Sequence, residues 1–306
     1  MSSDKSKTVV GIFLLIFVLF VIFMVFAFYT VANLKSAGDQ SENTLFNESK
    51  APIAVLSLEG VIMDSNKVIE RLLKLEEDKT VKAIILRIDS PGGAVGPTQE
   101  IYEEVLRIDE KKPIYASFGT VAASGGYYVG AATRKIYANA GTLTGSIGVI
   151  MQFMDMSKLY EFAKVNPQTV KAGKYKDVGS PFRGMNNEEK QLLDTMIDGV
   201  HQQFMDDIQR KRKGKIKGKL IDLAQGQIFS GVEAKKFGLV DEIGGLWAAG
   251  RAIHKELNIK EEFDLRFIRK KKRMNFLEIL DEAAESVSYI KNMIFSTSKP
   301  LLMLNM

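Results

Sequence analysis

The chain of 306 residues contains no cysteine and only two histidines. The lack of cysteine excludes thiol catalysis, disulfide bonds and a cysteine-ligated metal site. His201 and His254 lie in long, charge-rich helical patterns, far from any glycine-rich turn. An imidazole base beside such a turn is therefore not expected, and a catalytic hydroxyl in this chain would need another base, of which lysine is the first candidate.

The N-terminal region contains a long uncharged run, from Val9 to Tyr29. About 20 apolar residues span the core of a bilayer as a helix, so this run predicts a transmembrane anchor. A cleaved signal peptide has a shorter apolar core, of about 7–15 residues, and cleavage after Ala32 is the alternative interpretation. Lys5 and Lys7 precede the run, so the positive-inside rule predicts a cytoplasmic N-terminus and an exported body.

The composition divides the remaining chain into three parts. Residues 31–50 are polar without an apolar period, which is typical of a linker between the anchor, 1–30, and a globular body. The body is predicted at 51–256. Residues 257–306 are predicted to be a C-terminal helical extension, with an amphipathic pattern over 275–295.

The net charge of +5 comes largely from two basic runs, at 210–219 and 269–273. Neither run is interleaved with the aromatic residues that stack on bases. A solvated helix end or a contact with a membrane surface is therefore favoured over a nucleic-acid site.

The body alternates between predicted strands and helices. Near-continuous runs of apolar β-formers, typical of strands buried on both faces of a parallel sheet, occur at 52–61 and 81–89. Further strands are predicted at 113–118, 135–139 and 147–153, and helices at 67–75, 98–108, 157–165 and 187–212. The alternation indicates βαβ units, so the predicted fold class is α/β.

Two predicted strands end in unusual sequence, at the sheet edge where functional groups of such folds gather. The first is followed by SPGG at 90–93, whose unpaired backbone N–H groups could hold an oxyanion, although an ordinary tight turn has the same composition. The second leads into AASGGYY at 122–128, which presents Ser124 among small residues. Ser124 is either the N-cap of the next helix or a nucleophile, and these residues alone favour neither.

A glycine-punctuated loop at 171–181 carries three lysines, Lys171, Lys174 and Lys176. A lysine acts as a general base only when its pKa is lowered from about 10.4 towards the working pH, by burial or by a like charge. The loop composition does not choose among the three. Asp177 would oppose such a change if it touched the catalytic lysine, so its carboxylate is predicted to point away.

Together these motifs resemble the signal peptide peptidase A family, in its shorter single-domain form. The resemblance runs from about Ile53 to Gly245, and the order and spacing of its motifs make it specific. The motifs are DSPGG at 89–93, ASGGYY at 123–128, TGSIGV at 144–149, KD at 176–177 before SP at 180–181, and GQIFSG at 226–231 before AKKFGLVD at 234–241.

The resemblance implies a role for each site residue. Ser124 would be the nucleophile, Lys176 the general base, and Ser146 the hydroxyl that orients the lysine. The oxyanion hole would use the N–H groups of Gly125 and Gly93, with Gly92 as the alternative to Gly93. One departure is Asp89, which stands where relatives often carry Asn and to which the sequence assigns no chemical role.

The resemblance further implies a crotonase-like, or Clp protease-like, fold of repeated ββα units. The expected function is a membrane-anchored serine endopeptidase, single-pass in the cytoplasmic membrane, that degrades remnant signal peptides and other apolar or unfolded peptides. No cofactor, metal or nucleic acid is expected, and the chain is expected to form a homo-oligomer whose active sites are shared between subunits. The alternatives are a crotonase-like acyl-CoA enzyme and a non-catalytic membrane scaffold.

Overall fold

The structure is a computed structural model that describes residues 51–268. The predicted anchor, the linker and the amphipathic pattern at 275–295 lie outside the described residues. Among the helices within 51–268, none is long and apolar enough to cross a membrane.

The strands of this part of the chain form one mixed sheet. They are β1 (Ile53–Glu59), β2 (Ala83–Ser90), β3 (Ile114–Ala123), β4 (Ile136–Ala138), β5 (Leu143–Gly145), β6 (Ile228–Ser230), β7 (Glu242–Ile243) and β8 (Leu265–Ile268). Their order is β6-β5-β3-β2-β1-β8, and β4 pairs with both β3 and β7. Only the β5–β6 pair is antiparallel among the described strands.

Helices connect and cover these strands. They are α1 (Asn66–Glu77), α2 (Val95–Asp109), α3 (Gly125–Ala131), α4 (Ser157–Phe162), α5 (Asn187–Arg212), α6 (Leu220–Leu223), α7 (Gly231–Phe237) and α8 (Leu246–Glu256). The predicted α/β class is confirmed, because parallel strands alternate with helices through most of the described chain.

Apolar side chains leave β1 alternately on both faces of the sheet. Leu56 and Leu58 pack in the larger core, with residues of α1, α2 and α3. Ile53 and Val55 point to the other face, where they pack with Ile253 of α8. Full burial of such a side chain stabilises the fold by about 1.5–3 kcal/mol relative to exposure, which explains why the central strands are largely apolar.

Two predictions require correction, one of a strand and one of the end of the body. The strand predicted at 147–153 is absent, and the strand in this region is β5, which ends at Gly145. Ser146 has a φ of 48°, outside the β region, so the backbone leaves the sheet before the apolar residues that follow. At the other end, β8 pairs with β1 although it lies beyond residue 256, where the body was predicted to end.

Helix α5 has well-defined ends. Asn186 and Glu189 form a capping box, in which the Asn186 side chain accepts the Glu189 N–H and the Glu189 carboxylate accepts the Asn186 N–H. At the other end Arg212 is fully buried, with its guanidinium 3.0 Å from the Asp241 carboxylate. The first basic run is therefore not simply a solvated helix end, because part of it joins α5 to the body.

Candidate active site

Ser124 lies at the sharp turn between β3 and α3. Its backbone has a φ of 51° and a ψ of −120°, a conformation that non-glycine residues rarely adopt. Its side chain makes no capping hydrogen bond to the helix. The N-cap interpretation of Ser124 is therefore not supported, and its hydroxyl remains available at a strained strand-to-helix turn, a geometry that also presents the nucleophile of α/β-hydrolases.

The turn after β2 lies against Ser124. A Cβ atom added to Gly92 would be 2.9 Å from the Cβ of Ser124 and 2.8 Å from the backbone nitrogen of Gly125. Gly92 has a φ of 108°, which favours glycine. The two glycine-rich motifs, distant in sequence, thus lie in direct contact.

Hydrogen bonds distinguish the two glycines of this turn. The Gly92 N–H donates to the Ser90 hydroxyl at 3.1 Å, so it is already engaged. Gly93 forms a parallel bridge with Ile62, in which the Ile62 N–H donates to Gly92 O at 2.9 Å and the Ala94 N–H donates to Ile62 O at 2.8 Å. In a parallel bridge the N–H of the middle residue, here Gly93, points away from the partner residue, here Ile62.

Gly93 and Gly125 consequently carry the two available donors. Within residues 51–268 neither N–H has a backbone or side-chain acceptor. Gly125 is the first residue of α3, where a helix has no internal acceptor for the N–H. This arrangement can stabilise an oxyanion, and it favours Gly93 over Gly92 as the second donor.

A cavity of about 120 Å³ opens beside these groups. Its lining consists of Gly93, Val95, Thr98, Gln99, Ser124, Gly125, Tyr128, Gly148, Val149, Ile150, Val200 and Phe204. The wall is mostly apolar, which suits an apolar side chain of a ligand.

Tyr128 forms part of this wall and is held on three sides. Its ring lies 4.7 Å from that of Tyr102 and 4.6 Å from that of Phe204, between centroids. Its hydroxyl donates to the buried Asp207 carboxylate of α5. Burial, and then the Asp207 carboxylate, raise the pKa of Tyr128, so its hydroxyl is a proton donor and not a base.

Ser146 follows the strand that neighbours Ser124. Ala123 of β3 is paired with Gly145 of β5, and the Ser124 N–H donates to Gly145 O at 2.8 Å. Because the strands are parallel, Ser124 and Ser146 leave adjacent strands at the same edge of the sheet. The Ser146 N–H donates to Gln227 O at 2.6 Å, so the GQIFSG motif supports this turn.

Lys176 lies apart from this group. It is exposed, in a series of turns between Gly173 and Gly179, and it is not among the residues that line the cavity. The structure therefore brings Ser124, Ser146, Gly93 and Gly125 to one edge of the sheet, whereas Lys176 is exposed and does not line the cavity beside Ser124.

The three lysines of this loop differ in their contacts with nearby carboxylates. Asp177 pairs with Lys171 and with Arg183, which agrees with the predicted orientation away from the catalytic lysine if that lysine is Lys176. The Lys174 ammonium is 2.6 Å from the Glu188 carboxylate, which raises the pKa of Lys174. Among the described residues, Lys176 has no carboxylate within ion-pair distance.

Sequence reasoning missed the cavity wall. Val200 and Phe204 lie four residues apart on α5, a spacing that places both on one face of the helix. That pattern is present in the sequence, but it is equally typical of a core helix. Thr98 and Gln99 of α2 carry no comparable signal.

Comparison with known proteins agrees with this architecture. Residues 107–260 match peptidase family S49, and residues 43–146 match the Clp protease family. The chain belongs to peptidase family S49. The α/β fold with its mixed sheet is thus Clp protease-like.

Individual relatives indicate which group of S49 peptidases this chain resembles. A putative protease of Synechocystis sp. is 38% identical over 197 residues, which are 64% of this chain and 71% of the relative. A putative signal peptide peptidase SppA of Enterococcus faecium is 35% identical over 210 residues, 64% of this chain and 61% of the relative. The chloroplastic serine protease SPPA of Arabidopsis thaliana is 37% identical over 205 residues, 67% of this chain and 30% of the relative.

These matches identify a serine peptidase of the signal peptide peptidase A family. The chain spans less than two thirds of the length of the Enterococcus and Arabidopsis proteins.

Proposed function

We propose that this S49 peptidase is a membrane-anchored endopeptidase with a Ser124–Lys176 dyad, acting on remnant signal peptides and other apolar or unfolded peptides. One observation carries the proposal. Ser124 has a strained backbone and an uncapped hydroxyl, and it lies beside two backbone N–H groups that have no acceptor in the described chain. Strain of this kind costs about 1–3 kcal/mol and persists where a site requires it.

The proposed chemistry has two stages. The Ser124 oxygen attacks the peptide carbonyl while Lys176 accepts the hydroxyl proton, and the Gly93 and Gly125 N–H groups stabilise the oxyanion. Lys176 then passes the proton to the leaving amine, and an acyl-enzyme remains. Water attacks this ester with Lys176 as base, which releases the second product and restores the Ser124 hydroxyl.

The ion pairs of the loop support Lys176 as the base. A general base must be neutral for part of the time, and a carboxylate that touches the ammonium opposes this. Lys171 and Lys174 each contact a carboxylate. Lys176 is thus the lysine of this loop that best meets the requirement, and Ser146 is proposed to orient its ammonium.

The position of Lys176 supports a shared active site. The segment between Ile150 and Phe182 exposes a series of apolar side chains, with Ile150 83%, Phe162 86% and Val170 100% exposed. A soluble protein rarely leaves so much apolar surface in water. We propose that a second copy covers this surface and that each Ser124 works with the Lys176 of a neighbouring subunit.

Two features support the substrate class and the location. The cavity beside Ser124 has a largely apolar wall, to which the side chains of signal-peptide remnants are complementary. The uncharged run from Val9 to Tyr29 is long enough to anchor the chain in the cytoplasmic membrane with the body on the exported side.

Treatment with a fluorophosphonate followed by peptide mass spectrometry tests the nucleophile. The adduct should be on Ser124, and Ser124→Ala should abolish both labelling and peptide hydrolysis while the fold is retained. Ser230→Ala is the matched control, because Ser230 also begins a helix but its side chain accepts the Glu233 N–H. That variant should lose about 1 kcal/mol of stability and keep its activity. Hydrolysis by Ser124→Ala at the wild-type rate would overturn the proposal.

Subunit mixing tests the shared site. Ser124→Ala and Lys176→Ala proteins, each inactive, are dissociated, mixed and reassembled. Hydrolysis should return in the mixture, because some interfaces then combine an intact serine with an intact lysine. Inactivity of verified mixed oligomers would show that each chain uses its own lysine.

A further inference from the structure

Strand β3 contains an irregularity just before Ser124. Ile88 of β2 is paired with Phe118 of β3, and Ser90 is paired with Ala122. One residue of β2, Asp89, therefore faces the three β3 residues 119–121. The extra residues of β3 interrupt the hydrogen-bonded ladder between the two strands. Their backbone N–H and C=O groups therefore need other partners.

Side chains supply those partners. Asp89 accepts the Val121 N–H at its Oδ1, at 3.1 Å, and the Thr120 N–H at its Oδ2, at 3.2 Å. Arg87, two residues earlier on the same face of β2, donates to Phe118 O at 2.9 Å. The Asp89 carboxylate thus uses both oxygens to hold two consecutive peptide groups of the irregularity.

Thr142, the residue before β5, supplies a further partner. The Thr142 hydroxyl donates to Gly119 O at 2.6 Å, and Thr142 is buried. Gly119 itself has no room for a side chain, since an added Cβ atom would be 2.4 Å from Asp89 Oδ2. The carboxylate is therefore packed directly against the β3 backbone.

The irregularity is also the point where β3 changes its partner. Residues 116–118 pair with β4, and residues 121–123 pair with β5. Ser124 comes directly after the second set, and Ser146 comes directly after β5. The direction in which β3 leaves the irregularity thus decides where both serine turns lie.

We propose that Asp89 is a positioning residue for catalysis: its two carboxylate oxygens fix the β3 backbone at Thr120 and Val121, and so set the orientation of the Ser124 turn against Gly92 and Gly93. The inference rests on the proposed role of Ser124 as nucleophile. Asparagine at this position would present one acceptor oxygen and one NH₂ group, so one of the two N–H groups would face a donor. The carboxylate is consequently required for the full arrangement in this chain.

A residue that is only structural would lower stability without changing the chemistry of the folded site. The discriminating measurements are therefore kcat and KM on a peptide substrate, and the fluorophosphonate inactivation rate constant of the folded protein, each compared with the thermal midpoint. Asp89→Ala removes both acceptors, and Asp89→Asn removes one with little change of volume.

Asp109→Asn is the matched control. Asp109 lies just before the other end of β3, is buried, and its carboxylate accepts the Ile114 N–H at 2.9 Å. Like Asp89 it accepts a backbone N–H of β3, but it is the last residue of α2, also pairs with Arg134 and Lys211, and does not line the cavity.

A displacement of about 1 Å at a reacting group can reduce a rate about 100-fold. Asp89→Ala should therefore lower kcat and the inactivation rate constant by about 100-fold, and Asp89→Asn by about 10-fold, with KM nearly unchanged. Asp109→Asn should lower the thermal midpoint and leave both rates at the wild-type level.

Two results would overturn the inference. One is a folded Asp89→Asn or Asp89→Ala protein that reacts with the fluorophosphonate at the wild-type rate. The other is an Asp109→Asn protein whose rates fall as far as those of Asp89→Asn. Wild-type protein that carries no label on Ser124 would instead overturn the proposed nucleophile, so the two failures are distinguishable.

Discussion

The contact between Gly92 and Gly125 offers a direct test of the oxyanion site through Gly92→Ala. The new methyl group would lie 2.8 Å from the Gly125 nitrogen and 2.9 Å from the Ser124 Cβ atom, distances that real Cβ atoms do not tolerate. The turn must shift, and the Gly125 N–H is obstructed or displaced. Loss of one oxyanion donor costs about 10²–10³-fold in kcat.

The same substitution also strains the backbone, because Gly92 has a φ of 108°. A side chain in the left-handed region costs about 1–2 kcal/mol. For a domain of this size each kcal/mol lowers the thermal midpoint by about 2–4 °C, so a decrease of about 2–8 °C is expected. The fall in activity should greatly exceed what this modest destabilisation explains at 25 °C.

Gly60→Ala is the control that introduces backbone strain without steric overlap. Gly60 has a φ of 75°, but an added Cβ atom would meet nothing within 4 Å. This variant should show only the part of the decrease in thermal midpoint that backbone strain causes, and a wild-type kcat. The assay is initial-rate hydrolysis of an apolar peptide at 25 °C, with the folded fraction measured by circular dichroism. A Gly92→Ala protein with wild-type kcat would refute the assignment of the Gly125 N–H to the oxyanion site.

Further expectations concern the lysine loop and pH. Lys176→Ala should be as inactive as Ser124→Ala, whereas Lys174→Ala should keep most activity; an essential Lys174 would move the base to that residue. Activity should rise from pH 6 to 9, since a lysine base must be neutral, and Ser146→Ala should retain partial activity with this rise displaced; a falling profile would exclude a lysine base. Hydrogen bonding by a guanidinium lowers the pKa of Glu189 from 4.5 to about 2. The folded-state pKa is thus below its ordinary value, so the stabilising contribution of Glu189 is complete above about pH 4.5 and is lost as pH falls towards 2. Thermal midpoints should show a shallower acid decrease for Glu189→Gln than for wild type, and equal slopes would contradict this contribution.

Much of the fold could be predicted because local pattern and burial agree. The apolar runs at 52–61 and 81–89 form β1 and β2, and the capping sequence before residue 187 begins α5 where expected. In the region 147–153 the same reasoning was wrong. Its residues are good β-formers, but the backbone at Ser146 turns out of the sheet, and several of the apolar side chains that follow are exposed in the single chain.

The candidate site was predictable to a different degree. The family resemblance implied that Gly125 and the Gly92–Gly93 turn form one oxyanion hole, and the structure brings Gly92 against Gly125. The choice of Gly93 over Gly92 required the hydrogen bond from Gly92 to Ser90, which depends on the conformation of the turn and not on composition. The contacts of Asp89 were unpredictable for a related reason, because they depend on a strand irregularity that no local pattern reveals.

Helix α5 has a mechanical consequence for the site. A helix of 26 residues is about 39 Å long and resists bending, so its two ends move together. Its first turn is joined through Glu189 to Arg183, and Arg183 to Asp177, the residue after Lys176. Farther along, Phe204 forms the wall of the cavity beside Ser124. A peptide that presses on this wall therefore acts on the same rigid body that carries the lysine loop. If a bound peptide displaces α5, the lysine loop moves with it, and any resulting coupling between peptide binding and loop position is reciprocal.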